Sequence, residues 1–281
     1  MRVLTLFFLL ISARLVAQPP CSSPGTTPGT ATVVCGSTVF NQPNLPSCNG
    51  NTIPFPGCSG LVSDNAAFYS FHCYQAGTFG FLLTPLSGAD DYDWCIMDIT
   101  GFAPTDIYTN NLNISVNLSG TPGPTGCTPT GVGNSNCAGG TPQFNQMPML
   151  QAGHDYLLMV SNWSSSGLGY NLTFTGGSTV LGDNAAPTVT NVGPVGCNSS
   201  QIRVQFSESV LCNTVTSSGS EFSITAGTNV ITGVVSQCAT GINAITELTI
   251  QLQDPLPAGN YNLVINNGSD GNTIHDVCQT P

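Results

Sequence analysis

Apolar and polar residues alternate in short stretches along most of the chain. In Tyr156, Leu158 and Val160, for example, every second position is apolar. A period of two predicts β-strands with one buried face. The first part of the chain carries this pattern in residues 67–71, 77–83, 94–99, 112–118, 155–160 and 169–174.

The same alternation continues towards the C-terminus, as in Ile202, Val204 and Phe206. It predicts further strands over residues 188–192, 201–206, 221–225, 230–235, 247–252 and 260–265. Clusters of Gly, Pro, Asn and Ser separate the stretches, and these residues favour turns. We therefore predict an all-β protein built from two disulfide-stapled β-sandwich domains, the first CUB-like or jelly-roll-like and the second Ig-like.

The N-terminus has the pattern of a secretory signal peptide over residues 1–17. Arg2 gives a positive start, an apolar run broken only by Thr5 follows, and small residues precede Gln18. The run is too short to span a bilayer, which requires about 20 apolar residues. We expect a chain that is secreted or displayed at the extracellular surface, without membrane insertion.

A domain boundary is predicted near residues 182–187, where a Gly-Asp-Asn-Ala-Ala-Pro segment opens a new pattern. The first domain would span residues 18–183 and the second residues 186–281. Six strands are predicted in the second domain, one fewer than in an immunoglobulin-like sandwich. We therefore expect this domain to lack its last strand, and the chain to be part of a longer polypeptide or a shortened family member.

The cysteines predict a disulfide framework, because an even number in an exported chain is typical of paired thiols. Zinc is less favoured, since no Cys-x-x-Cys pair occurs. The boundary divides the cysteines eight to four, so each half can close its own bridges. Cys48 with Cys58, and Cys127 with Cys137, bracket turn-rich loops, but the connectivity stays open. The twelve cysteines are Cys21, Cys35, Cys48, Cys58, Cys73, Cys95, Cys127, Cys137, Cys197, Cys212, Cys238 and Cys278.

The net charge of the chain disfavours polyanionic partners. The chain has no lysine, and after the signal segment Arg203 is its only basic residue. Fourteen acidic residues against that one arginine give a formal charge of −13. A chain without a cationic surface is not expected to bind nucleic acid, and binding to anionic lipid is disfavoured for the same reason.

Several segments resemble known families. Residues 202–210, with Phe-Ser-Glu-Ser at 206–209, together with 219–222, 256–261 and 268–278, resemble a bacterial Ig-like domain of large secreted surface proteins in gliding bacteria. The first half resembles CUB-like or pre-peptidase C-terminal β-sandwiches, through residues 67–71, 90–98, 123–126, 150–157 and 169–174. The resemblance implies type IX-like secretion and a role in adhesion or gliding. The resemblance also implies a C-terminal sorting domain. We recognise no such segment within residues 1–281, which leaves surface attachment open.

The densest acidic cluster consists of Asp90, Asp91, Asp93 and Asp98. Calcium takes several oxygen ligands, which neighbouring loop carboxylates can supply, so the cluster is a candidate structural calcium site. Aspartates at the entry to a strand are equally typical of solvated turns. The family resemblance favours calcium, the only cofactor that we predict.

Two aromatic residues are candidates for ligand contact. Tyr92 and Trp163 lie near predicted loops and could stack on sugar rings, whereas Trp94 is followed by alternating residues and is expected in the core. The partner would be an extracellular glycan or a protein, its identity unknown.

We predict a non-enzymatic extracellular module for cell-surface adhesion or gliding. The alternative is a carbohydrate-binding or accessory module of a larger secreted enzyme, which would present an aromatic patch including Trp163. His72, His154 and His275 belong to no recognisable nucleophile motif, so structural roles are expected for them. A stand-alone hydrolase would require histidine and carboxylate side chains that converge in one cleft.

Overall fold

A computed structural model describes residues 19–36, 39–137, 139–140, 142–182, 185–193, 199–225, 229–240 and 244–281. The predicted signal peptide and Cys197 lie outside these residues. Within the described part the chain is all-β, with short 3₁₀ turns at Pro28–Thr30, Pro104–Tyr108, Cys212–Thr214 and Gln237–Thr240. No helix of this part has the length and apolarity needed to cross a membrane.

The strands of the first half include all six predicted stretches, with one of them divided. The stretch 77–83 forms two strands that flank Gly80, which packs so closely that a Cβ would lie 2.3 Å from the carbonyl oxygen of Thr175. The strands are β1 (Thr32–Val33), β2 (Val39–Asn44), β3 (Ala66–His72), β4 (Gly77–Thr78), β5 (Phe81–Pro85), β6 (Tyr92–Asp98), β7 (Asn113–Asn117), β8 (Thr125–Thr128), β9 (Ser135–Asn136), β10 (Phe144–Gln146), β11 (Met149–Leu150), β12 (Asp155–Asn162) and β13 (Leu168–Phe174).

These strands form a sandwich with an aromatic core. A six-stranded sheet, in the order β1-β3-β12-β6-β7-β9, packs on a five-stranded sheet, in the order β10-β8-β5-β13-β2, and β4 pairs with β11. Tyr69, Trp94 and Tyr156 of the larger sheet share one buried cluster with Phe81 and Tyr170 of the smaller. The predicted sandwich is therefore confirmed for this half.

The six-stranded sheet is buried on its outer face as well. Ile53 and Ile107, which belong to connecting segments, cluster there with Leu157 and Met159 of β12. The alternation predicted only one apolar face for this strand. Because both faces of β12 are covered, Leu157 and Met159 are apolar as well as the residues on the inner face. The connecting segments form a third layer over the six-stranded sheet.

The second half contains all six predicted strands. They are β14 (Val189–Val192), β15 (Gln201–Leu211), β16 (Phe222–Thr225), β17 (Ile231–Val235), β18 (Ala244–Leu252) and β19 (Asn262–Ile265). Their sheets have the orders β14-β15-β18-β17 and β16-β19. Val204, Leu248 and Phe222 lie in a separate buried cluster that both sheets share.

Disulfide bonds join eight of the described cysteines. The pairs are Cys21–Cys48, Cys35–Cys278, Cys58–Cys137 and Cys212–Cys238. The predicted framework is thus confirmed for these residues, but the suggested pairs Cys48–Cys58 and Cys127–Cys137 are wrong. Those loops close onto other parts of the fold rather than onto themselves.

Two further expectations about the cysteines are wrong. Cys35 and Cys278 connect the two halves, so the halves do not close their bridges separately. Cys73, Cys95 and Cys127 are free and buried thiols. Burial raises the pKa of the Cys95 and Cys127 thiols, which therefore behave as small apolar side chains of the core.

Candidate ligand-binding corner and histidine–carboxylate groove

One end of the six-stranded sheet brings the predicted acidic cluster and Trp163 together. The antiparallel register of β6 and β12 pairs Tyr92 with Asn162, so the residues before β6 meet those after β12. The backbone N–H of Trp163 donates to the carbonyl of Asp91 at 3.1 Å, and the N–H of Asp91 donates to Oγ of Ser164 at 2.8 Å. The acidic–aromatic corner is our name for Asp90, Asp91, Asp93 and Trp163.

The aspartates of the corner are buried, with 5, 7 and 8% exposure for Asp90, Asp91 and Asp93. Asp90 accepts a hydrogen bond from Oγ of Ser166 at 2.7 Å. Burial disfavours a charged carboxylate, so it raises the pKa of Asp91, against the opposing backbone N–H of Tyr92. Burial raises the pKa of Asp93 to about 7, and the charge of Asp91 adds to the increase. A cation or a hydrogen-bond donor would stabilise these carboxylates.

The two candidate aromatic residues have opposite environments. Trp163 is 65% exposed, as predicted, in the turn between β12 and β13. Tyr92 is 1% exposed, donates its hydroxyl to the carbonyl of Leu168 at 2.7 Å and packs edge-on against Tyr170. The prediction that Tyr92 contacts a ligand is therefore wrong, because β6 begins at this residue and turns its side chain inwards. Trp94 is buried, as predicted.

Asp98 lies at the opposite end of β6 and does not belong to the corner. It accepts hydrogen bonds from Nδ1 of His154 at 2.7 Å and from Oγ1 of Thr100 at 2.6 Å. Burial alone would raise the pKa of Asp98, but the hydrogen bonds from Thr100 and His154 outweigh it and lower the pKa. The predicted set of four carboxylates is thus wrong for this residue.

The structure does not assemble a metal centre from the described residues. Among them, no group of three or more His, Cys, Asp or Glu side chains is arranged to hold a metal ion. Calcium at the remaining aspartates of the corner stays a prediction, for which backbone or ligand oxygens would have to complete the coordination.

A groove of about 420 Å³ lies between the two halves and contains a second histidine–carboxylate pair. Nδ1 of His72 and Oδ1 of Asp155 are 2.7 Å apart, because β3 and β12 place these residues opposite each other. The ring of Tyr74 packs edge-on against the imidazole. Ser70 and Ser209 also line the groove. Histidine and carboxylate therefore converge in a cleft, which is one requirement of a hydrolase.

Sequence reasoning missed both histidine–carboxylate pairs. His72 follows the predicted strand 67–71 and Asp155 begins the predicted strand 155–160, so an assumed antiparallel pairing of these strands would have placed them together. More than eighty residues separate them in the chain, and no local pattern indicates that the strands are neighbours.

Comparison with known protein families, curated proteins and solved structures finds no match to this chain. The resemblance to bacterial surface proteins therefore stays a prediction.

Proposed function

We propose that the chain is a non-enzymatic extracellular binding module for cell-surface adhesion or gliding. It contacts a glycan or protein ligand through the acidic–aromatic corner. The observation that carries the proposal is Trp163, which is 65% exposed and tied by its backbone to Asp91. An exposed indole on a hydrogen-bonded backbone beside carboxylates offers both apolar contact and hydrogen-bond acceptors.

Its location outside the cytoplasm is supported by the disulfide bonds. Structural disulfides persist in oxidising compartments and are rare in the cytosol. Only 6% of the residues are charged, so hydration of the surface depends mainly on uncharged polar residues, as expected for a displayed β scaffold.

A second candidate is a carbohydrate-binding or accessory module of a larger secreted enzyme. The same exposed indole favours it, because the apolar face of a sugar ring stacks on such a surface. A hydrolase ranks below both. A catalytic triad requires a nucleophile, and the sequence contains no recognisable nucleophile motif such as Gly-x-Ser-x-Gly.

The proposal is tested by screening oxidised residues 18–281 on a glycan array and on bacterial cell surfaces, with and without calcium. We expect saturable binding that Trp163→Ala weakens at least tenfold. The matched control is Met149→Ala, which removes another exposed apolar side chain, 66% exposed, from strand β11.

Binding that survives Trp163→Ala unchanged would contradict the role of the corner. A chain that binds nothing on either surface, in either condition, would contradict the proposed function. Calcium-dependent binding that Asp91→Asn and Asp93→Asn abolish would support a cation at the corner.

A further inference from the structure

The groove between the halves is a composite site whose two walls belong to parts of the chain that a disulfide connects. His72 and Asp155 come from the first sandwich, whereas Ser209 and Gln237 come from the second. The disulfide Cys35–Cys278, with Cα atoms 5.3 Å apart, joins the two halves covalently. Such a preformed groove loses little conformational freedom when a ligand enters.

A second contact between the halves lies beside the groove. The hydroxyl of Tyr74 donates to Oε2 of Glu208 at 2.9 Å, and Ser209, the next residue of β15, lines the groove. The hydrogen bond therefore fixes the strand segment that carries the wall residue. Neither half alone supplies both walls.

The charge of the groove favours a neutral ligand. The described residues that line the groove include three titratable side chains, those of His72, Asp155 and Tyr156. His72 and Asp155 are the two that can carry a charge near neutral pH. Nδ1 of His72 lies 2.7 Å from Oδ1 of Asp155, so any positive charge on the imidazole is balanced by the carboxylate and does not attract an anionic ligand. The side chain of Asp155 is still 48% exposed, so its carboxylate can accept a hydrogen bond from a ligand.

The remaining lining combines an aromatic wall with hydrogen-bonding groups. Phe102 lines the groove and is 45% exposed, so its ring is accessible to a ligand. Ser70, Ser209 and Gln237 add hydroxyl and amide groups. A sugar ring has matching surfaces, because its C–H face packs on an aromatic ring while its hydroxyls both donate and accept.

We propose that this groove binds a neutral oligosaccharide of two or three sugar units. The volume of about 420 Å³ lies within the range of roughly 300–1,000 Å³ that is usual for small-ligand sites. Phe102 stacks on one sugar ring, and the carboxylate of Asp155 accepts hydrogen bonds from its hydroxyls. The site is separate from the acidic–aromatic corner and extends beyond the proposed function.

The test uses calorimetry and saturation-transfer NMR on the oxidised chain. The probes are neutral trisaccharides with glucose, mannose or N-acetylglucosamine units, and a trisaccharide of galacturonate as the anionic comparison. We expect at least one neutral probe to bind, the uronate to bind at least tenfold more weakly, and Phe102→Ala and Asp155→Asn each to weaken binding at least tenfold.

Val132→Ala, at an exposed apolar position outside the groove, is the matched control and should leave binding unchanged. Trp163→Ala should also leave it unchanged, which separates this site from the corner. The absence of binding to every neutral probe would overturn the proposal. So would a preference for the uronate, or binding that Trp163→Ala removes and Phe102→Ala does not.

Discussion

The two ends of strand β6 hold carboxylates with opposite electrostatic character. At the start of the strand, Asp93 is buried close to Asp91, and its pKa is raised to about 7. At the end of the same strand, Asp98 accepts hydrogen bonds from Thr100 and His154, and its pKa is lowered. Sequence alone grouped these residues into one acidic cluster.

This difference shows that hydrogen-bond partners, rather than residue type, determine the direction in which the pKa of an aspartate shifts. The paired Asp98 stabilises the fold at neutral pH, because folding favours its charged form. Asp93 has the reverse effect, since its charged form is less stable in the folded chain than in water. A carboxylate that the protein leaves uncompensated is a reason to search for a ligand, whereas a paired one is explained by structure.

The largest effect on stability should follow from Cys35→Ser/Cys278→Ser, which removes the disulfide between the two halves. The loop closed by this bridge spans 243 residues, for which chain entropy gives roughly 5 kcal/mol of stabilisation. Urea unfolding measures this loss. Hydrogen exchange should accelerate more at the groove ends of β3 and β12 than at the acidic–aromatic corner.

The matched control for that variant is Cys212→Ser/Cys238→Ser, whose bridge spans only 26 residues and corresponds to roughly 3 kcal/mol. It should accelerate exchange in β3 and β12 less than Cys35→Ser/Cys278→Ser does. Equal acceleration at both ends of β6 in the Cys35→Ser/Cys278→Ser variant would contradict a local role for this disulfide.

Removal of the paired carboxylate should have the next largest effect. Asp98→Ala leaves the His154 and Thr100 donors without their acceptor, so we expect a loss of about 2–3 kcal/mol at pH 7. Because the folded pKa of Asp98 is lowered, this loss should shrink as the pH falls through that pKa. Urea unfolding at pH 7 and pH 3 measures it, with the exposed Asp254→Ala as control. A loss that does not depend on pH would argue against stabilisation of the charged form of Asp98 by these hydrogen bonds.

Substitution of the unpaired carboxylate should change stability in the opposite direction. The folded pKa of Asp93 lies above its unfolded value of about 4, so the native chain loses stability as the pH rises from 4 through 7. Asp93→Asn should therefore gain on the order of 2 kcal/mol at pH 8 and little at pH 4. Thermal unfolding across this range measures the gain, with Asp254→Asn as control. Destabilisation at pH 8 would show that the charged form of Asp93 has a partner.

The smallest effect on stability should come from Trp163→Ala. Its side chain is 65% exposed, and its described anchoring bond involves the backbone N–H, so unfolding free energy should change by less than about 0.5 kcal/mol. Calorimetry measures the stability of the variant and the screen measures its binding, so the two effects of the substitution are separated. A larger loss would mean that the indole supports the corner rather than a ligand.

Local pattern predicted the strands well, because alternation is a property of short segments. Residues 155–160 and 247–252 lie within β12 and β18, and the exposure of Trp163 follows from the turn-rich Ser-Asn-Trp-Ser segment around it. Turn-flanked strands can be recognised without knowledge of their neighbours.

Features that depend on distant parts of the chain could not be predicted. The pairs Cys35–Cys278 and Cys58–Cys137 join segments far apart in sequence, so loop proximity suggested other partners. The alternation predicts a strand from residue 94, whereas β6 begins at Tyr92, and for that reason its inward direction could not be predicted. The third layer over β12 likewise comes from loops without alternation.

The most direct test of this account is a carboxyl ¹³C NMR titration that follows Asp93 and Asp98 in one sample, first without and then with calcium. We predict that Asp93 titrates near pH 7 and Asp98 below its ordinary value, and that calcium lowers the apparent pKa of Asp93 alone. If both carboxyls titrate together near pH 4 and calcium moves neither, the two ends of the sheet are not different, and the corner has no uncompensated charge to offer a ligand.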